Sequence, residues 1–554
     1  MPASDPTPGV PTPTGTLQGV AAFAWDGTTW QPTAGAGPDV ATPTGVLRGV
    51  APFTWDGAAW QPAGRAQPGV AAPGGVLDGV AVYTWSGAAW TPAGGQPTPS
   101  TPSGALRGVA AFNWDGTAWQ PAGRAGPSVA TPYGVLDGVA MFNWTGTAWT
   151  PGPSLALNFM TPGSLDPRIT FTRASTATYF DVTGTMQTAA TNTPRWDYNP
   201  VTHVLRGLLL EEARTNAAVQ TQDFTNAAWT KVACAITRPG TNAPDGTSLN
   251  LVTEDTSSSA HAFYGGSISY TAVRWTASVF VRAGTQRYIS LRGEDLGGGN
   301  WPWITFDTQT QAINANASVS ASGFAALPGG TYRIWLSWTA TAVLGNIVVA
   351  GSNVATAPPI GSSLGTSYVG TSQTWYAWGA QAEIGAFPTS YIPTAAAAAT
   401  RAADNCQIPP ANMGWFVAPG GSWQAEFISI DPAPNNDRVV CLPSASNRAQ
   451  MLINAANQAV QYDAVGSFGT TNALTTGVVA KAASTWASTL ARVCLNAGSI
   501  ATSTALTTGY PDNAAWGTGF MQYGVAGQGL NGYMRAMRYW PRILSDAEMQ
   551  AVTT

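Results

Sequence analysis

Glu211 and Glu212 stand side by side, and a pair of carboxylates flanking one bond is the machinery of glycoside hydrolysis. That chemistry sets the two groups roughly 5 to 9.5 Å apart across the scissile bond, whereas consecutive residues of a strand point to opposite faces. Ion pairing with Arg206 or Arg214 is expected instead, and no catalytic residue is assigned. The only histidines, His203 and His261, are too few for a zinc site. Cys234, Cys406, Cys441 and Cys494 lie far apart without a Cys-x-x-Cys spacing and are expected to be free thiols, mostly buried. Asp431, Asn435, Asn436 and Asp437 carry oxygen but fit no calcium loop, so turn chemistry is expected there. No metal and no cofactor is expected.

Non-covalent chemistry is better represented. Tyr288, Trp303, Trp335 and Trp375, with Arg282, Arg292 and Arg333, are read on the outward faces of strands. Rings that stack on sugar C–H faces beside guanidinium groups that bond hydroxyls or carboxylates make a sugar groove. The same outward residues would also serve to pack against a neighbouring subunit or domain.

The elements that must position these residues are strands. In AVRWTASVFVR, Val273, Trp275, Ala277, Val279 and Val281 alternate with Arg274, Thr276, Ser278, Phe280 and Arg282, giving one dry and one wet face. By the same parity Ile289, Leu291, Ile304 and Phe306 point inward, and Trp301, Arg292 and Asp307 outward. Tyr332, Ile334, Leu336 and Trp338 fill the core opposite Arg333 and Trp335. In WYAWGAQAEIG, Tyr376, Trp378, Ala380 and Ile384 are assigned inward, and Trp375, Gln381 and Glu383 outward. Short strands punctuated by Gly-Gly and Pro-Gly predict an antiparallel two-sheet sandwich.

Charged residues are 9% of the 554, far below the usual share of about 25%, while hydrophobic content is an ordinary 44%. The surface must therefore be Thr, Ser, Asn, Gln and Gly, a composition suited to an all-β chain of several domains. Net charge is −4 with two lysines, Lys231 and Lys481, so nucleic acid is not an expected partner. Neither a secretory leader nor a membrane-spanning apolar run is recognised, and membrane insertion is not expected.

Before residue 152 one phrase, first seen as GVAAFAWDGTTWQP, occurs five times, its leading tryptophans 30, 30, 29 and 30 residues apart. Asp26-Gly27 and its counterparts predict a two-residue hairpin turn, with Trp25 opposite Thr28 and Phe23 opposite Trp30. Phe23, Trp25 and Trp30 then share a face, and with them Phe53, Trp55, Trp60, Trp85, Trp90, Trp114, Trp119, Trp144 and Trp149 in the later copies. A lone ribbon cannot keep such a face in water. Either neighbouring repeats or chains cover it, building a stalk, or some rings stay open to sugar.

The stretch FTRASTATYFDVTGTMQTAATNTPRWDYNPVTHVLRGLLLEEARTN, Phe171 to Asn216, resembles a module of bacteriophage tail fibres, spikes and head fibres. WGAQAEIGAFPTSYIPT, Trp378 to Thr394, is similar to the last strand of the carbohydrate-binding-module-like jelly rolls that follow it there. GGSWQAEFISID and LNGYMRAMRYWPRILSDAEMQAVTT resemble the first and last strands of concanavalin- or laminin-G-like sandwiches. The resemblance implies a homotrimeric virion fibre with an attachment arm over 1–14, a repeat stalk over 15–152, a β connector over 153–222, a jelly roll over 223–400 and a second sandwich over 401–554. It implies assembly in the host cytoplasm, contact with other virion proteins through the N-terminal region, and non-catalytic binding of host surface polysaccharide. A purely structural head fibre or decoration protein is the alternative, and a capsule depolymerase ranks last. Ser545-Asp546-Ala547-Glu548 is a capping box for one terminal helix, with Ala547, Met549 and Val552 docking back.

Overall fold

The structure is a computed structural model that describes residues 153–554 except 294–300, 342–343, 410–411, 413–419, 432–436, 441–449, 463–466, 488–489 and 505–528. Before 153 it describes only the backbone of short strands. Two compact units result, 1–155 with 540–542, and 156–539 with 543–554.

In the first unit Phe23–Trp25 pairs antiparallel with Trp30–Pro32, and the four later copies do the same. The register corrects the two-residue turn: Trp25 lies opposite Trp30, leaving four residues between the strands. This register sets Trp25 opposite Trp30 and Phe23 opposite Pro32, where a two-residue turn would set Phe23 opposite Trp30. The arm over 1–14 and the side chains of the repeat aromatics lie outside the described residues, as do Cys441, Asn435 and Asn436.

The second unit is all β apart from short 3-10 turns and one terminal helix among its described residues. Its sandwich has two six-stranded antiparallel sheets. The first runs Trp229–Val232, Ala262–Ser269, Leu344–Ser352, Tyr288–Gly293, Trp303–Asp307, Ile313–Ala315. The second runs Cys234–Thr237, Asn250–Glu254, Thr374–Ile384, Arg274–Ala283, Thr331–Thr339, Ala321–Leu327. Between them Trp275, Ala277, Val279, Val281, Ile289, Leu291, Ile304, Phe306, Ile334, Leu336 and Trp338 form one core, as their alternation predicts.

The expected wet face of Arg274–Ala283 is mostly dry. Thr276, Ser278 and Phe280 are buried, because the hairpin Ala177–Phe180/Met186–Ala189 and the segment 387–394 lie over that side of the sheet. Phe280 packs there with Met186, Leu249, Trp378 and Tyr391. Thr374–Ile384 needs a larger correction: Trp375, Ala377, Ala380 and Ala382 face the main core, while Tyr376 and Trp378 face the covering hairpin and Ile384 is exposed. The cause is Gly379, at φ +65°, beside which the pairing with Arg274–Ala283 shifts register and the alternation changes phase.

The sandwich is an insertion. Arg214–Asn216, where the chain enters it, pairs antiparallel with Ala399–Arg401, where the chain returns. The connector belongs to the other β body: Thr170–Thr172 pairs with Asn405–Gln407, and Leu205–Leu210 joins Gly532–Trp540 in the C-terminal sheet. That sheet continues through Gly421–Ser429, Val479–Ala487, Leu490–Leu495 and Ala501–Ser503. Both faces of Gly532–Trp540 are contacted, with Tyr533, Met534, Met537 and Tyr539 buried. Ser545 caps the helix Asp546–Val552 through a reciprocal box with Glu548; Met549 is buried, but Ala547 is exposed rather than docked. Cys406 and Cys494 are buried free thiols, and Cys234 is half-buried. Asp437 begins the strand Asp437–Val440 rather than a turn.

Candidate functional site

The seven outward residues do not share a sheet. Tyr288, Arg292 and Trp303 belong to the first sheet, and Arg282, Arg333, Trp335 and Trp375 to the second. Trp375 is a core residue. Trp303 does point outward, but the segment 353–366 roofs it: its Nε1 donates to the Ser362 carbonyl at 2.8 Å, and Ala357 and Leu364 pack on its cluster. Arg292 is buried there too, 4.6 Å above the Trp301 ring, donating to the Ser363 carbonyl and to Asn346 Oδ1. Strand parity fixes which side of a sheet a residue occupies, not whether another segment covers that side. Tyr288 remains half-buried beside the Arg287 guanidinium, which Asp307 holds with two hydrogen bonds of 2.8 and 2.7 Å.

Trp335 and Arg333 do meet in a cleft of about 220 Å³, on the outer face of the second sheet. Trp335 is half-buried and lies against Gly323, where an added Cβ would come within 2.8 Å of its indole. Facing it come Tyr179 and Phe180 from the covering hairpin, Asp197 and Arg206 from the connector strands, and Tyr533 from the C-terminal sheet. The Arg333 guanidinium is held by Ser278 Oγ at 3.0 Å and the Thr389 carbonyl at 2.6 Å. Arg206 donates to Asp197 at 3.3 Å and to Tyr533 Oη at 3.0 Å, and Asp197 also accepts from the Phe180 amide at 2.6 Å. Burial pushes the Asp197 carboxyl up, against the pull of Arg206, and burial also raises the Tyr533 hydroxyl. The result is a half-buried indole, Trp335, and a half-buried phenol, Tyr179, beside polar groups whose positions are already fixed, an arrangement that can stack on and hydrogen-bond an uncharged polyol.

Behind the cleft lies an ion cluster that the sequence reading missed. Arg195 bridges Glu211 at 2.9 Å and Asp404 at 2.5 Å; Arg401 pairs with Glu211 at 3.1 Å and Arg173 with Asp404 at 3.0 Å. All five side chains are essentially inaccessible to solvent. Glu211 further accepts from the Ser390 amide and hydroxyl at 2.7 and 2.6 Å. Burial alone would raise the Glu211 carboxyl, but Arg401, Arg195 and Ser390 outweigh it and hold the pKa at about 2. Glu212 pairs with Arg214 at 2.5 Å, as expected, whereas Arg206 goes to Asp197 instead. A usable signal existed: in a chain with so few charges, Arg173, Arg195, Glu211, Glu212 and Arg214 fall within one short stretch.

Arg282 lies apart, half-buried, with its guanidinium 4.5 Å from the Tyr376 ring. It lines a second cleft of about 290 Å³ with Thr183, Thr185, Asn242, Leu327 and Thr331.

No family model and no curated protein matches the chain. Among solved structures, the CBM40 of the Ruminococcus gnavus IT-sialidase, bound to alpha2,3 sialyllactose, aligns at 15% identity and a TM-score of 0.21, covering 24% of this chain and 83% of that one. Trypanosoma rangeli sialidase in complex with sialic acid aligns at 11% identity and a TM-score of 0.21, covering 79% and 86%. Neither likeness, at that score, bears on what this chain binds or does.

Proposed function

We propose that this chain is a homotrimeric virion fibre whose second unit binds host surface polysaccharide without cleaving it, the N-terminal region contacting other virion proteins. The virion part of the reading rests on the resemblance over Phe171 to Asn216. The binding part rests on one observation: Trp335 and Tyr179 remain partly open in a cleft whose polar partners, Arg206, Asp197 and Arg333, are already fixed in place. Binding rather than hydrolysis accords with Glu211, whose oxygens are taken up by Arg195, Arg401 and Ser390. A fibre or decoration without a ligand is the second reading, favoured by the burial of Trp303 and Trp375.

Affinity electrophoresis of the full chain in purified host polysaccharide separates the two. Trp335→Ala is expected to weaken retention about tenfold, equivalent to about 1.4 kcal/mol, with an unchanged far-UV spectrum. Equal retention of wild type and variant supports the structural reading, and release of reducing ends overturns the non-catalytic one.

A further inference from the structure

The arginines that share a sheet with Arg282 are occupied: Arg333 by Ser278 and Thr389, Arg274 by Ser337 Oγ at 3.1 Å. Arg282 differs. Among the described residues its guanidinium makes no hydrogen bond and no ion pair, only the face contact with Tyr376. A guanidinium fork carries five N–H donors and is matched in geometry by a carboxylate. None of the described residues lining its cleft is acidic, so the guanidinium is the one charged group among them, amid the hydroxyls of Thr183, Thr185 and Thr331 and the amide of Asn242.

The position of this cleft matters as much as its charge. Both clefts open on the outer face of the second sheet, and both are lined by Leu327. The covering hairpin contributes Tyr179 and Phe180 to one cleft, and its turn contributes Thr183 to Thr185 to the other. In the strand register Arg282 lies opposite Thr331 and Ser278 opposite Trp335. Four residues along the strand and one strand across separate Arg282 from Trp335, about 14 Å at ordinary sheet spacings. That span exceeds one sugar ring and suits a short run of an extended glycan.

We infer that the Arg282 cleft is a second subsite that takes the carboxylate of an acidic sugar residue in the same polysaccharide chain whose other ring stacks on Trp335. The inference rests on the proposed function, and names the ligand as a carboxylated polymer bound along its length rather than at its end.

The test is affinity electrophoresis of the full chain in polygalacturonate, in carboxyl-reduced polygalacturonate and in dextran sulfate. Wild type is expected to be retarded by polygalacturonate about tenfold more strongly than by the reduced polymer, a difference of about 1.4 kcal/mol. Arg282→Gln should abolish that preference, Arg282→Lys should restore part of it, and Trp335→Ala should weaken retention in both polymers alike. The comparison of the two polymers with wild-type protein needs no variant to fold. Equal retention of wild type in both, or an Arg282→Gln chain that behaves as wild type, overturns the carboxylate subsite while leaving the Trp335 reading standing. Loss of effect at Trp335 overturns the underlying reading. Retention by dextran sulfate that is as strong and as sensitive to Arg282 overturns the carboxylate in favour of unselective anion binding, and no retention in polygalacturonate overturns the subsite.

Discussion

Glu211 illustrates how surroundings decide what a carboxylate does. Read as half of an acidic pair it suggests hydrolysis; in place it is the hub of a buried network of three arginines and Asp404. Removing one partner from such a network strands the others, so Glu211→Gln is expected to cost about 3 to 5 kcal/mol in urea unfolding at neutral pH. The acid behaviour has a definite sign. With a folded pKa of about 2 against an ordinary 4.5, Glu211 contributes fully above pH 4.5, and its share is lost as pH falls towards 2. Unfolding free energy of the wild type should drop by about 3 kcal/mol from this group across that window, and the variant should lack that component. A wild type and variant with parallel pH profiles would remove the network from the account of stability.

At the scale of elements, alternation located the sandwich core but could not see a phase change. Trp275 to Val281 and Ile334 to Trp338 took the sides their parity gave, since those strands run without interruption. In Thr374–Ile384 the even positions face the core only after Gly379, so the reading placed Gln381 and Glu383 correctly and reversed Trp375, Tyr376 and Trp378. Gly379→Ala is expected to destabilise by about 2 kcal/mol or more in thermal or urea unfolding. Its φ of +65° disfavours a side chain, and a Cβ would sit 2.7 Å from the Phe280 ring. A variant as stable as the wild type would show that the bulge tolerates a methyl group. What covers an outer face was equally illegible, because Trp303 is roofed by a loop 50 to 60 residues later in the chain and Phe280 by a hairpin about 100 residues earlier. Of the cleft, the sequence supplied Trp335 and Arg333; Tyr179, Asp197, Arg206 and Tyr533 reach it from segments that strand periodicity cannot bring together.

At the scale of the molecule, the second unit is a sandwich inserted within a β body rather than successive modules on a string. A fragment of residues 223–400 would lack Met186 and the covering hairpin, exposing Phe280 and Trp378. It is expected to bind a hydrophobic dye and to aggregate, while 156–554 remains monodisperse or trimeric. A soluble, dye-silent 223–400 fragment would count against the cover as part of the fold. Because the Phe159 amide, near the start of this unit, donates to the Arg535 carbonyl in its last strand, tension applied between the two ends of this unit loads the C-terminal sheet and bypasses the inserted sandwich, whose entry and exit strands pair at Asn216 and Ala399. The inserted lobe that carries Trp335 hangs outside that line of force, whereas Tyr533, which faces it across the cleft, lies on the loaded strand.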